Sequence, residues 1–272
     1  MDDAQPAPDL SRPAPWRAAQ AANAVAMTRA GFALGQLDAD LSALPPDDRC
    51  GAIRRLALIE VAAILSASGR PIPLQEIAAD LLDAAPTDDI QALRFARWAV
   101  RRLEGQGATT DLRGFLALHR SPPGAARIHG RRRAEDLDDL ARDFLDHIDR
   151  SGLHPLARGP HARVLWRLAG LSPEDDGAEA AIWVARDSAS ACTALPFAPL
   201  GRAHLRLLVD SGPPAERMAR HARWRWNRRR SRRGCIWRRS GPGTLTRWTG
   251  SRGSRAAIRA ASCRFWPRIR CC

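Results

Sequence analysis

The chain has 272 residues, 45% of them hydrophobic, and a formal net charge of +14 at pH 7, which is enough for one large or two small domains with a hydrophobic core. No apolar run approaches the about 18 residues that cross a bilayer, and the acidic, Pro-rich N-terminus lacks the apolar segment of a secretory signal. Only Cys50 and Cys192 precede residue 221, so we expect a cytoplasmic protein with no disulfide framework and no membrane partner.

Apolar residues recur at helical spacing from residue 16 to residue 195. The segment 1–15, by contrast, mixes Pro and Ala with polar residues and is predicted to be disordered. No stretch alternates apolar and polar residues over the length of a strand, and no hairpin signature occurs. The spacing and the Pro and Gly punctuation predict helices over 16–44, 51–68, 74–84, 87–104, 110–119, 135–150, 154–170 and 172–195.

The predicted fold class is all-α, a multi-helix bundle with a disordered N-terminus and a disordered Arg/Trp-rich C-terminal tail. We expect the most apolar helix, 51–68, at the centre of the core, followed by Gly69 in the left-handed conformation. The large apolar side chains Phe32, Leu74 and Ile90 are expected to face inward on their helices. The predicted organisation is 1–15 disordered, 16–120 helical, 121–134 a loop, 135–220 a second helical part, and 221–272 a basic tail.

Positive charge is concentrated in this tail. Residues 221–272 contain 16 Arg and no Asp or Glu, with five of the nine Trp and four of the six Cys. Residues 1–220 contain 27 Arg against 29 acidic residues, which is close to neutral. The chain has no Lys and no Tyr, a bias typical of a very GC-rich gene. Its high Arg content is therefore explained by the base composition of the gene as well as by binding to phosphates.

One interpretation of the tail is a nucleic-acid-binding arm. Arg side chains would neutralise phosphates and the interleaved Trp side chains would stack on bases, without sequence choice and with steep salt dependence. The candidate contact residues are Arg228, Arg229, Arg230, Arg232, Arg233, Arg238 and Arg239.

The other interpretation is that the tail is translated out of frame. In the frame offset by two nucleotides, the fixed codon of Trp makes Trp226–Asn227 read as Glu, Trp237–Arg238 as Ala and Trp248–Thr249 as Asp. With GC-rich codons chosen elsewhere, this frame gives Leu and Ala at helical spacing, restores acidic residues and contains the phrase Leu-Ser-Gly-Arg.

The segment HPLARG, residues 154–159, resembles the opening of the Fic nucleotidyl-transferase motif, His-Pro-Phe-x-acid-Gly-Asn-Gly-Arg. The resemblance implies that His154 would be the general base, but Arg158 stands where the family has its magnesium-binding acid. Pro160, His161 and Ala162 replace the Asn-Gly-Arg that cradles phosphates. Because Arg keeps its positive charge and cannot ligate a metal, an ordinary helix start is the favoured interpretation.

The sequence predicts no catalytic residue, no metal site and no cofactor. Neither HExxH nor CxxC occurs, no Gly-rich phosphate loop is present, and the serines lack the nucleophile-elbow pattern. The histidines show no metal-ligand spacing. The five considered as metal candidates, out of seven histidines in the chain, are His119, His129, His147, His154 and His161. The basic cluster of Arg127 and 131–133 is interpreted as a solvated loop.

Several segments taken in order are similar to an uncharacterised family of helical proteins from GC-rich bacteria. They are LDADLSALPPDD, RRLALIEVAAILSASGRPIPLQEIAADLL, LRFARWAVRRLEG, HARVLWRLAGL, EAAIWVARDSAS and FAPL…SGPPAERMAR. The resemblance covers roughly residues 30–220 and implies a C-terminal helix-turn-helix that binds DNA. In that family a Leu-Ser-Gly-Arg stretch leads into the helix-turn-helix, so the DNA-reading helix is expected in the offset frame, beyond Cys272.

The sequence therefore predicts a non-enzymatic protein of the transcriptional-regulator type that lacks its helix-turn-helix, with its function impaired. Its partner would be DNA, bound non-specifically through the tail. Two alternatives remain: a degenerate relative of the Fic enzymes, and a protein-interaction scaffold that uses the acidic helix 135–150. The oligomeric state is left open.

Overall fold

The structure is a computed structural model that describes residues 9–82, 90–117, 134–172, 177–200 and 212–222. These ranges contain ten helices and no strand, so the predicted all-α class is confirmed for them. The helices are α1 Pro13–Ala22, α2 Ala24–Ser42, α3 Pro46–Ala67, α4 Leu74–Asp80, α5 Ile90–Leu103, α6 Leu112–Ala117, α7 Ala134–Arg150, α8 Pro155–Leu168, α9 Ala178–Ser188 and α10 Pro214–Ala222. None of the described helices has the length and apolar character needed to cross a bilayer.

The beginning of the described chain is ordered, which corrects part of the disorder prediction for 1–15. Residues 1–8 lie outside the described ranges. Asp9 accepts a hydrogen bond from the backbone N–H of Ser11 at 3.0 Å, and α1 begins at Pro13, a residue whose fixed φ suits the first turn of a helix. Trp16 is fully buried, and its indole N–H donates to the carbonyl of Leu10 at 2.9 Å. Burial of one large aromatic residue thus stabilises a segment whose composition suggested disorder.

The single helix expected over 16–44 is interrupted at Asn23. Its ψ of 16° lies outside the helical range, and its side-chain amide donates to the carbonyls of Ala19 at 2.9 Å and Ala215 at 3.3 Å. Asn is a residue that competes for backbone groups in this way, so the break has a local cause. Phe32 on α2 is 67% exposed, which contradicts the inward position expected for it.

Helices α3 and α5 form the centre of the main core. Val61, Ile64 and Leu65 of α3 are fully buried, and Gly69 after this helix has a φ of 72°, so the predicted left-handed end is confirmed. Ion pairs tie the surrounding helices together: Asp80 of α4 accepts two hydrogen bonds from Arg97 of α5, at 2.5 and 2.7 Å.

Two expected core positions at helix starts are exposed instead. Leu74 is 37% exposed and Ile90 is 60% exposed. Each is the first residue of its helix, so its side chain points back past the helix start, where the helix has no preceding turn. Parts of other predictions lie outside the described ranges: the end of the helix over 74–84, the start of that over 87–104, the end of that over 110–119, and most of the loop 121–134.

The second half of the chain adds an aromatic cluster to the same core. The ring of Phe144 in α7 lies 5.3 Å from that of Trp166 in α8 and 5.1 Å from that of Trp183 in α9, both edge to face. This geometry suits aromatic quadrupoles and adds to the burial of three large side chains. The helix expected over 172–195 is shorter, since α9 ends at Ser188 and residues 189–195 are turn and extended chain.

The last described helix, α10, was not predicted. It begins with Pro214 at its first position and carries Glu216 in its first turn, both favourable at a helix start. Three of its residues, Met218, His221 and Ala222, are buried. His221 and Ala222 therefore belong to the packed body, which corrects the predicted start of the tail at 221.

Candidate functional site

The candidate site is the junction where α8 packs between α9 and α10. It contains the HPLARG segment singled out in the sequence. His154, Arg158 and Ser188 at this junction make structural contacts through their side chains.

His154 is the N-cap of α8. Its Nδ1 accepts a hydrogen bond from the backbone N–H of Leu156 at 3.2 Å, and its own backbone N–H donates to Gln20 Oε1 of α1 at 2.9 Å. A side-chain acceptor at this position satisfies one of the backbone donors that a helix start leaves free. The ordinary helix start favoured in the sequence matches this geometry.

Arg158 makes a bidentate ion pair with Asp187 of α9. Its Nε and Nη2 both donate at 2.5 Å to the two carboxylate oxygens, and the side chains are only 17% and 6% exposed. Burial raises the pKa of Asp187, and the hydrogen bonds and charge of Arg158 oppose that rise. The pair fixes α8 against α9, and both oxygens of the Asp187 carboxylate accept hydrogen bonds from the Arg158 guanidinium.

Gly159 is the point of closest approach between α8 and its neighbours. A Cβ at this position would lie 2.7 Å from Cε1 of His221 in α10 and 2.8 Å from Cγ1 of Val184 in α9. Pro160 follows, so the helix here also lacks one N–H donor to the carbonyl of Leu156. The absence of a side chain at 159 lets three helices meet.

A small pocket lies beside this meeting point. Its lining is mostly apolar, with Ser188 and His221 as polar members; the other residues are Met27, Ala30, Leu156, Ala185, Ala198, Leu200 and Ala222. It has room for about one water molecule, which is too little for a substrate or a cofactor. Ser188 Oγ donates to the carbonyl of Pro155 at 3.5 Å.

The histidines do not assemble a metal site in the described ranges. His119 and His129 lie outside these ranges, His147 is exposed, His154 is a cap, and His161 is buried beside α1. No group of three His, Cys, Asp or Glu side chains among the described residues could hold a metal ion.

The surroundings of Cys192 disfavour the reactive thiolate form. Cys50 and Cys192 are present as half-buried thiols. Burial, followed by the charge of Asp38, raises the pKa of Cys192 to about 11, so this thiol is protonated at neutral pH.

The Arg residues predicted to contact nucleic acid all lie outside the described ranges. This holds for Arg228, Arg229, Arg230, Arg232, Arg233, Arg238 and Arg239, and for the cluster of Arg127 and 131–133. The structure thus neither brings them together nor separates them.

Sequence reasoning missed two polar anchors that join distant segments. Asp38 of α2 accepts from the backbone N–H groups of Thr193, Ala194 and Leu195 at 3.0, 2.7 and 2.7 Å. Burial opposes its ionisation, but the three donors together outweigh burial and lower its pKa. The contact spans about 155 residues of sequence, and no local pattern could have revealed it.

The second missed anchor is Arg186 of α9. It donates to the carbonyl of Pro196 at 3.0 Å, of Gly105 at 3.2 Å and of Gly107 at 3.0 Å. Burial, with a smaller contribution from the neighbouring charge of Arg102, lowers its pKa. Arg186 thus holds the loop at Gly105 and Gly107 and the loop at Pro196. The position of an Arg in an amphipathic helix pattern does not predict such contacts.

The chain matches no protein-family model, and no curated protein or solved structure is significantly similar to it. The described residues at this junction make structural contacts: a helix cap, a buried ion pair and a close helix crossing.

Proposed function

We propose that this chain is a non-enzymatic, helical, cytoplasmic protein of the transcriptional-regulator type that binds DNA non-specifically through its arginine-rich segment, 223–272. The observation that carries the proposal is the division of charge along the chain. All 16 Arg counted from residue 221 onward lie after Ala222, and no acidic residue accompanies them. The rest of the chain is close to neutral, with 27 Arg against 29 acids.

The polar side chains of the packed body support this division. Arg54 pairs with Glu104, Arg97 with Asp80, and Arg158 with Asp187, so their charges are largely used within the fold. The tail has no acidic residue of its own to neutralise it. Phosphate contacts by such a segment would give affinity without sequence choice, because the backbone charge is the same for every base.

The test is a gel-shift titration of the full chain on DNA duplexes of unrelated sequence. Replacing seven tail residues by Gln is expected to weaken binding at least 100-fold at low salt, because each phosphate contact contributes to affinity. They are Arg228, Arg229, Arg230, Arg232, Arg233, Arg238 and Arg239. The wild-type chain is expected to bind the different duplexes equally.

The matched control removes the same number of charges from exposed positions of the packed helices. These positions are Arg17, Arg29, Arg94, Arg101, Arg142, Arg150 and Arg167. The control should bind within a few-fold of wild type. Equal loss in both variants would assign binding to net charge alone, and no binding by the wild-type chain would refute the proposal.

The out-of-frame origin of the tail is a proposal about the same segment. It is supported by the abrupt loss of acidic residues at the position where α10 ends, and by the Glu, Ala and Asp codons that Trp fixes in the offset frame. Resequencing the gene over the codons for 217–233 tests it. A single intact frame there, shared by related genes, would refute it and strengthen the assignment of the tail as a working arm.

A further inference from the structure

Residues 9–22, here called the N-terminal latch, are attached to the body through a core of their own. Trp16 and Ala19 of α1 pack with Leu153, Ala157, Val164 and Met218, and this group is separate from the main core. The remaining links include the bond from the His154 N–H to Gln20. A segment held by a small separate core can detach at lower cost than the whole body unfolds.

His161 of α8 lies at the centre of this attachment. It is 1% exposed, its ring centroid lies 5.6 Å from that of Trp16, and its Nε2 lies 3.1 Å from the carbonyl oxygen of Ser11. Because a carbonyl only accepts, Nε2 carries the hydrogen and donates. The other nitrogen, Nδ1, is buried and has no hydrogen-bond partner among the described residues.

This arrangement accommodates only the neutral imidazole. Protonation would place a second N–H, at Nδ1, in a buried position without an acceptor, and it would bury a positive charge. Burial accordingly lowers the pKa of His161; the bond to Ser11 opposes this and the charge of His147 adds to it. When the latch detaches, His161 meets water and regains its ordinary affinity for a proton.

Among the described residues around His161, no acidic group offsets the charge of a protonated imidazole. His147 of α7 is itself cationic when protonated. Before α1, Asp9 is engaged with Ser11 and Arg12. From α10 the core receives the apolar Met218, while the ring of His221 lies against Gly159 of α8.

We propose that His161 is an acid-sensitive lock on the N-terminal latch: its protonation releases residues 9–22 from α8 and α10 while the main core stays folded. The contribution of the neutral imidazole to attachment is fully present above the ordinary His pKa of about 6.5 and decreases as pH falls below it, because the detached form binds the proton more tightly. The opening constant then rises by up to tenfold per pH unit, so it rises up to about 30-fold between pH 7.5 and pH 5.0.

Hydrogen exchange of the full chain, read by mass spectrometry and corrected for intrinsic rates, tests this. Peptides from 13–22 should lose protection by up to about 30-fold at pH 5.0, whereas peptides of α5 should keep theirs. His161→Gln retains a donor for the Ser11 carbonyl without titrating in this range, and it should remove the response. His147→Gln, at an exposed position, should keep it.

A second non-titrating variant, His161→Phe, preserves the ring contact with Trp16 and guards against a packing defect in the Gln variant. Loss of the acid response in either variant, with α5 still protected, supports the lock. Equal protection of 13–22 at both pH values in the wild-type chain overturns it. So does an unchanged acid response in both His161 variants, or loss of protection in α5 together with α1.

Discussion

Replacing Gly159 by Ala should destabilise the protein, although Ala is the better helix former. Within α8 the change gains about 1 kcal/mol of helix propensity. The new Cβ would lie 2.8 Å from Val184 Cγ1 and within 2.9 Å of two atoms of the His221 ring, all closer than a carbon contact allows. Val184 is 1% exposed and β-branched, so its methyl group cannot turn away without a new clash.

Overpacking of this kind costs about 1–3 kcal/mol, which outweighs the gain in propensity. We expect Gly159→Ala to lower the free energy of unfolding by about 1–2 kcal/mol, measured by urea denaturation of the full chain with circular dichroism at 222 nm. Gly35→Ala is the matched control, because Gly35 lies inside α2 with no atom within 4 Å of the Cβ position.

The control should raise the free energy of unfolding by about 0.5–1 kcal/mol. The two substitutions are chemically identical and both lie within helices. Their opposite signs would therefore report the surroundings of Gly159, which are the crossing of α8, α9 and α10 and the ring of Pro160 that follows it. Gly159→Ala that is as stable as wild type, or more stable, would refute this description of the crossing.

Three further predictions concern an ion pair, a buried carboxylate and a thiol. Asp187→Asn should cost about 3–5 kcal/mol by leaving the Arg158 charge buried without its partner, and Arg158→Met in the same chain should recover much of it, as a double-mutant cycle in urea would measure. Asp38→Ala should lower the free energy of unfolding by about 2 kcal/mol. Because the pKa of Asp38 is lowered in the fold, its carboxylate stabilises the native chain until it is protonated, so the variant should lose less stability than wild type below pH 4; acid unfolding identical to wild type would contradict this. Cys192 should be alkylated by iodoacetamide at pH 8 about 100-fold more slowly in the native chain than in urea, because its pKa rises from 9.0 to about 11, and peptide mass spectrometry separates it from the other cysteines.

Helical periodicity was sufficient to predict the fold class and most helices, because burying one apolar stripe is a local property of the sequence. The left-handed Gly69 and the central position of α3 followed from the same reasoning. The break at Asn23 and the helix α10 did not, since each depends on contacts with remote segments. A pattern of only nine residues, such as Pro214–Ala222, gives a weak periodic signal.

The polar contacts were the least predictable part of the structure. Arg158 was noted only because it occupies the acid position of a motif, whereas its partner Asp187 lies 29 residues further on. The role of His161 depends on Ser11, 150 residues earlier. Sequence spacing reports which face of a helix is apolar, but it does not report which side chain from another helix reaches that face.

The most direct test of the proposed function is the salt dependence of DNA binding by the full chain. Plotting the logarithm of the binding constant against that of salt concentration counts the phosphate contacts, at a slope of about −0.9 per contact. The account predicts that the seven tail replacements reduce this slope by about 6, while the seven replacements on the packed helices leave it unchanged. A wild-type slope near zero, or one that the helix replacements reduce as much as the tail replacements, would contradict it.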